Sequence, residues 1–299
     1  MDVEYVQTCT LCDSDALVML DPDCAICQCR SCGHVFDSPR PSSAEVMRFY
    51  SQASKYDPWM AQEGAWDRLW RRRLKKMPRP QDGGSLLDVG AGIGQFLHHA
   101  KAWYAAVEGT EVSESAVAIA RQKYRLTLTK GRLKDLVFAA EAFETITLFH
   151  VLEHVPDPGE TLARCWQLLH EGGVLVIAVP NDLQSLRTQV KRWVRCLGLT
   201  RFRHIGKLGL PRLALDGSLD EIHMSHFTPE VLRRALERLG FCVVEESLDP
   251  YYAATGLMLA LHTAFYWACL LLFRLARLNL YDTIWMVAQK RAEPVHVAG

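Results

Sequence analysis

Between Ser85 and Leu97 the chain reads Ser-Leu-Leu-Asp-Val-Gly-Ala-Gly-Ile-Gly-Gln-Phe-Leu, a buried-strand pattern that meets three glycines at alternate positions and then opens a helix pattern. Gly90, Gly92 and Gly94 let the backbone turn tightly and approach a ligand with no side chain in the way. The spacing is G-x-G-x-G. A dinucleotide fingerprint, G-x-G-x-x-G, would require its third glycine where Gln95 stands. Asp88 sets a carboxylate at the strand end beside the turn, which suits a ligand carrying an ammonium group better than one carrying a pyrophosphate.

The same alternation continues along the chain. Strand patterns occupy 86–89, 105–109, 145–149, 174–179, 241–246 and 282–289; helix patterns occupy 95–102, 115–124, 159–169 and 229–239. Strands that alternate with helices predict a parallel sheet covered on both faces. Upstream, 44–77 is helical in pattern, rich in Trp, Tyr and Arg, and ends at Pro78; 39–43 reads as a linker. The 34 basic and 34 acidic residues cancel, so no global field draws the chain to nucleic acid. Residues 1–10 are polar and lack the apolar core of a secretory leader. Ten cysteines without such a leader point to a reducing compartment, and the cytoplasm is the expected location.

Six of those cysteines fall between Cys9 and Cys32. Cys9-x-x-Cys12 and Cys29-x-x-Cys32 can form two knuckles that converge four thiolates on one tetrahedral zinc, whose binding then folds the module. Cys24-x-x-Cys27 is a third pair, and spacing alone leaves it able to replace the second knuckle. No catalytic thiol is evident, so this zinc would be structural.

Several further runs carry a resemblance. Phe143-Glu-Thr-Ile leads into Thr-Leu-Phe-His-Val-Leu-Glu-His-Val-Pro-Asp-Pro158; Leu169-His-Glu-Gly-Gly-Val-Leu175, His223-Met-Ser-His-Phe-Thr-Pro229 and Leu239-Gly-Phe241 follow in order. With the glycine turn they resemble the class I S-adenosylmethionine-dependent methyltransferases of the type 11, 12 and 23 groups, over roughly 85–245. Cys29-Arg-Ser-Cys32-Gly-His-Val-Phe36 and then Pro39-Arg-Pro41 resemble the ribbon that begins many bacterial members. The resemblance implies an α/β, Rossmann-like fold: a mostly parallel seven-stranded sheet with its last strand antiparallel, behind a small N-terminal zinc ribbon. Residues 1–40 would be the ribbon, 41–80 a helical linker or lid, and 81–299 the catalytic domain. It implies S-adenosylmethionine as cofactor, held by Asp88, Gly90, Ala91, Gly92 and Gly94, by Glu111 and Val112, and by Leu133 and His150. Glu111 fits the ribose-binding position, with Glu108 as its competitor. It favours Cys9, Cys12, Cys29 and Cys32 as zinc ligands, leaves Cys24 and Cys27 as extras, and makes His34 a packing residue or one that supports a ligand. Glu144 and Arg132 depart from the family's usual acids at those positions.

Methyl transfer from a sulfonium is an in-line displacement, so a base is needed only where the acceptor must lose a proton. His150, His154, His223 and His226 are the candidates, and for each a hydrogen-bonded structural role competes. His150 is expected near the cofactor and Glu153 at the rim. Arg132, Arg203 and Lys207 could bind an anionic acceptor, with a solvated charge as the competing reading.

Two segments bear on the acceptor. The insertion 186–222 holds Arg187, Lys191, Arg192, Arg195, Arg201, Arg203, Lys207 and Arg212, and the stretch 186–212 that carries them contains no acid. Leu186, Val190, Trp193, Val194 and Leu197 recur there at helical spacing, giving a basic amphipathic helix suited to an anionic membrane or acceptor. The stretch 253–273, within an apolar helix spanning about 251–280, is long enough to cross a membrane, but the strand after it must rejoin the sheet that the preceding strand left. An apolar helix over the acceptor pocket, in a homodimer interface or in one leaflet is expected instead. The leading reading is an enzyme that methylates a small-molecule, glycan or lipid-linked acceptor at oxygen, with peripheral membrane contact and no nucleic acid. An RNA methyltransferase using the ribbon and basic segment is one alternative, and a non-catalytic S-adenosylmethionine-binding or interaction protein another.

Overall fold

The computed structural model describes residues 2–52, 60–80, 83–197, 205–211, 213, 221–250, 252 and 254–291. Arg201, Arg203, Arg212 and residue 253, singled out above, lie outside the described residues.

Five short strands open the chain: β1 (Val3–Glu4), β2 (Leu17–Asp21), β3 (Ile26–Cys29), β4 (Val35–Asp37) and β5 (Arg40–Pro41). β2, β3 and β4 form an antiparallel meander, and β5 pairs back on β1. The expected linker is therefore partly a strand. Arg40 is buried there, donating to Glu4 at 2.8 Å and to the Pro156 carbonyl at 2.7 Å. Two helices follow. α1 (Ser43–Tyr50) is capped by the Ser42 side chain, which accepts from the Glu45 N–H, and α2 (Glu63–Lys76) gathers Arg73, Lys75 and Lys76 in its last turn, where the helix dipole favours cations.

The α/β body then runs β6 (Ser85–Val89), α3 (Gln95–Ala100), β7 (Ala106–Glu111), α4 (Glu114–Tyr124), β8 (Thr129–Lys130), β9 (Phe143–Phe149), α5 (Pro158–Leu168), β10 (Leu169–Pro180), α6 (Leu186–Cys196), β11 (Ser225–His226), α7 (Pro229–Arg238), β12 (Phe241–Ser247), α8 (Gly256–Ala276) and β13 (Thr283–Lys290). Seven strands form one sheet in the order β12-β13-β10-β9-β6-β7-β8, with β13 antiparallel to both neighbours and the remaining pairs parallel. This is the expected architecture. Sequence periodicity missed β8, a two-residue edge strand that is exposed at both positions and so carries no apolar pattern. Leu86, Leu87, Ile146, Leu148, Val176 and Ile177 are fully buried, as central strands covered on both faces require. Trp70 and Leu74 of α2 close one face against Phe96, Phe149 and Trp285; Leu162, Cys165, Leu232 and Leu236 of α5 and α7 close the other.

The ribbon is seated on this body. β11 pairs with β4, Ser225 opposite Phe36 and His226 opposite Val35, and so makes the ribbon sheet four-stranded. The Gly159 N–H donates to the Thr10 carbonyl at 3.0 Å, and a Cβ on Gly159 would come within 2.9 Å of that oxygen. Cys24 takes part in a separate apolar cluster with Ile26, Val35 and Leu210 of the insertion.

α8 lies as a strap between β12 and β13. The Ala254 carbonyl at its leading end accepts from Arg68 of α2 at 3.3 Å. Beyond its far end, the carbonyls of Asn279 and Tyr281 each accept from Asn181 Nδ2 at 2.9 Å. Because β12 and β13 are adjacent strands, the segment leaves and re-enters the same sheet, and this excludes a single membrane crossing.

Candidate active site

Order in the sheet reverses between β6, which is followed by β7 on one side, and β9 on the other, and ligands bind open α/β sheets in the crevice at such a point. β6 ends there in the glycine turn. Gly90, Gly92 and Gly94 have φ of 70°, 54° and 79°, and a Cβ on Gly90 would lie 2.6 Å from Val151 Cγ2. Glu111 ends β7 with its carboxylate buried against the turn, Oε2 accepting from the Gly92 N–H at 2.8 Å and Oε1 from the Ser113 N–H at 2.9 Å. Burial raises its pKa and those backbone donors oppose the rise. Glu108, its competitor in the sequence, is exposed.

A cavity of ≈ 260 Å³ runs along this surface past Gly90, Gly92, Glu111, Val112, Leu133 and His150, and on to Tyr50 and His154. Asp88, Ala91 and Gly94, expected as direct contacts, lie outside its lining. The Asp88 carboxylate turns into the sheet and accepts from the Thr147 hydroxyl at 2.6 Å; burial pushes its pKa to about 7. These three residues shape the turn from behind. Arg132 does line the cavity, with its guanidinium held by Asp135 at 2.6 Å.

A second cavity of ≈ 180 Å³ adjoins at His150, His154 and Glu221, and takes in Glu153, His223, Arg187 of α6 and His262 of α8. The four candidate histidines differ sharply here. His150 has a left-handed backbone (φ 58°), a strained conformation of the kind that clusters at functional sites. An Arg73 Nη donates to its Nε2 at 3.0 Å, so Nδ1 carries the proton and donates to Glu153 at 3.2 Å. Burial and the Arg73 charge hold its pKa well below the ordinary value. His150 therefore has no basic nitrogen to offer, contrary to its candidacy as a base. Its partner Arg73 is fully buried in an ion pair with Asp249. Glu153, expected at the rim, is 1% exposed, and burial raises its pKa to about 8.

His154 is neutral: burial, then the neighbouring His223 charge, bring its pKa to about 4. Its Nδ1 lies 2.6 Å from the Ile222 carbonyl and donates to it, with the Tyr50 hydroxyl 2.8 Å away. The lone pair is thus on Nε2, with Glu153 Oε1 at 3.7 Å. His223 is cationic. Burial opposes its charge, but Asp182 at 3.2 Å and Glu221 at 3.3 Å outweigh that and raise its pKa well above the ordinary value. His226 lines neither cavity. It bridges Asp182 at 3.3 Å and Asp37 of the ribbon at 3.0 Å, and against the cost of burial these carboxylates raise its pKa to about 9. Its role in this geometry is structural.

Asp182 carries this network, and the sequence reading passed over it. It follows β10, and the rule that singled out Glu111, an acid just beyond a strand's carboxyl end, would have found it. Arg73 sits in an Arg-Arg-Arg run that reads as a solvated face.

Two residue sets could hold a metal. Cys9, Cys12, Cys29 and Cys32 bring their sulfurs within 4.8 Å of one another, with Cys9–Cys32 and Cys12–Cys29 at 3.6 Å. Tetrahedral zinc with bonds of about 2.3 Å separates its sulfurs by about 3.8 Å, so the thiols fit the ion. Cys24 and Cys27 stand outside this set, and burial raises both of their pKa values. His34 is buried beside Cys9 Sγ at 3.9 Å and stacks on Phe227, the supporting role expected of it. Glu153, His154 and His223 form the second set, also within 4.8 Å, whose donors would serve a divalent cation only with His223 deprotonated.

A mostly parallel seven-stranded sheet with a glycine turn beside a strand-end carboxylate is a Rossmann-like α/β arrangement. Residues 61–246 match the methyltransferase domain family, and the chain belongs to that family. A Mycolicibacterium smegmatis protein described as an S-adenosylmethionine-dependent methyltransferase is 26% identical over 127 residues, 42% of this chain and 49% of the relative. The ubiquinone biosynthesis O-methyltransferase of Mesorhizobium japonicum is 31% identical over 118 residues, 36% and 46% of the two chains; that of Aromatoleum aromaticum is 34% identical over 108 residues, 33% and 45%. The matched segment thus spans about half the length of these relatives or slightly less. Among solved structures, an S-adenosylmethionine-dependent methyltransferase from Thermotoga maritima superposes with a TM-score of 0.51 at 17% identity, covering 82% of this chain and 100% of the other. The [4+2]-cyclase SpnF superposes at 0.55 and 17%, covering 85% and 99%. These likenesses show the fold alone. The family implies S-adenosylmethionine, and the lining of the first cavity fits it: the Glu111 carboxylate would accept from ribose hydroxyls, the glycine turn offers bare backbone, and Val112 and Leu133 give apolar surface for a base.

Proposed function

We propose that the protein transfers the methyl group of S-adenosylmethionine to a hydroxyl oxygen of a small organic acceptor bound in the second cavity, beside His154. The observation that carries this reading is the state of His154: neutral, with Nδ1 committed to the Ile222 carbonyl and Nε2 left to accept a proton where the two cavities meet. S-adenosylmethionine, held along Glu111, the glycine turn, Val112 and Leu133, would supply an electrophilic sulfonium methyl group to the acceptor oxygen. His154 Nε2 takes the hydroxyl proton, and the His223 cation, with ring centroids 4.9 Å apart, stabilises the charge that develops on oxygen. A base with so low a pKa works best on an acidic hydroxyl, which favours a phenol or enol over an alcohol. His150, fixed by Arg73 and Glu153, orients the boundary between cofactor and acceptor. The relatives named as ubiquinone biosynthesis O-methyltransferases support oxygen as the acceptor atom.

The test is S-adenosylhomocysteine formation against a panel of phenols, catechols and aminophenols, with the methylated atom of each product identified. His154→Ala should lower kcat by about 10²–10⁴, the usual contribution of a positioned base. Turnover that survives this substitution, or a product methylated at nitrogen, would refute the reading.

A further inference from the structure

α6 and α8 each present apolar side chains to solvent. On α8, Leu257, Leu261, Leu271 and Leu275 share one face at helical spacing and are 76%, 55%, 58% and 77% exposed, with Trp267 at 57%. On α6, Val190 and Trp193 are 51% and 68% exposed, and Leu197, which caps it, is 59% exposed. The two helices approach each other at the start of α6, where the Leu186 N–H donates at 2.8 Å to the carbonyl of Leu280, past the end of α8, and where Arg187 and His262 line one cavity. Soluble monomers rarely leave so long an apolar strip uncovered.

The charge pattern identifies the occupant. α6 carries Arg187, Lys191, Arg192 and Arg195 without an acid, and among the described residues only Arg187 has a carboxylate partner, Asp282. Arg274 and Arg277 close α8. A second copy docked on this surface would bring cations against cations, whereas an anionic bilayer complements them. α8 is held at both ends on one sheet, so it can lie in the interface and cannot cross it. Arg187 and His262, one from each helix, both line the second cavity.

We propose that α6 and α8 dock the protein on an anionic phospholipid surface, with α8 sunk flat into one leaflet. The acceptor cavity then opens between them at the bilayer, and its acceptor is a membrane-resident molecule; that last link alone rests on the function proposed above. Apolar side chains at acyl depth with basic residues at the headgroups are how monotopic helices bind.

Flotation of the full chain tests the docking. It should float with vesicles of phosphatidylcholine and phosphatidylglycerol and stay behind with phosphatidylcholine alone. Lys191→Gln with Arg192→Gln should weaken binding about thirty-fold, at ~1 kcal/mol for each basic residue near an anionic surface. Leu261→Glu with Leu271→Glu should abolish flotation. Calorimetry with S-adenosylmethionine should give the same affinity for all three proteins, which separates loss of docking from loss of the cofactor site. A wild-type chain that stays behind with anionic vesicles overturns the proposal. So does a stable homodimer in solution that the leucine substitutions split, since the strip would then be a subunit interface.

Discussion

His226 joins two parts of the protein that are far apart in sequence. It lies on β11, at the edge of the ribbon sheet, with Asp37 of the ribbon on one nitrogen and Asp182 of the α/β body on the other. Its side chain is 6% exposed, so solvent screens these contacts little. The carboxylates outweigh burial and raise its pKa from 6.5 to about 9. At 1.36 kcal/mol for each pH unit between those values, protonated His226 stabilises the fold by ~3 kcal/mol. Since the folded-state value is the higher one, this stabilisation is fully present below pH 6.5 and is lost as pH rises through about 9. His226→Gln keeps an amide donor and removes the charge. In urea unfolding followed by tryptophan fluorescence, the variant should be less stable than wild type by ~3 kcal/mol near pH 6, and the gap should close toward zero near pH 10. Comparing the two proteins at each pH cancels the titrations they share. An equal gap at both pH values would refute the argument, because the loss would then be one of packing.

Three other outcomes follow. Glu111→Gln should weaken S-adenosylmethionine binding by roughly 10- to 100-fold in calorimetry, since hydrogen bonds to a charged acceptor contribute about 1.5–3 kcal/mol and the amide no longer accepts on both atoms. Arg73→Met leaves the Asp249 carboxylate, 1% exposed, without its counter-ion, and should cost about 3–5 kcal/mol in denaturant unfolding; adding Asp249→Leu should recover most of that loss. The purified protein should hold one zinc per chain. Its removal by a chelator should open the first 40 residues to protease and withdraw the ribbon support of His226, because binding energies on the order of 10 kcal/mol drive the folding of such sites.

The glycine turn, the flanking strands and helices, and the strand-end position of Glu111 were legible because each depends on neighbours within a few residues. The ribbon knuckles were legible for the same reason, although spacing alone left Cys24 and Cys27 in contention; Cys24 packs instead against Leu210 from the distant insertion. β8 escaped because two exposed residues carry no periodicity. The pairing of β4 with β11 escaped because residues 36 and 225 meet only in the folded chain. Asp37, Asp182 and Arg73 went unnoticed for a related reason: each looks like an ordinary polar residue until the fold buries it beside a histidine.

The sequence by itself determined the fold class and the glycine turn with its strand-end carboxylate, and it narrowed the thiol cluster to three cysteine pairs, from which the folded chain brings Cys9, Cys12, Cys29 and Cys32 together. Those depend on backbone conformation and short-range spacing, and both are written locally. Only the tertiary structure tells the four histidines apart. His150 has its basic nitrogen occupied, His223 and His226 are charged between carboxylates, and His154 is left neutral with an open nitrogen. A side chain's protonation state depends on its burial and on charges within a few ångströms, and here those partners come from α2, the ribbon and the segment after β10.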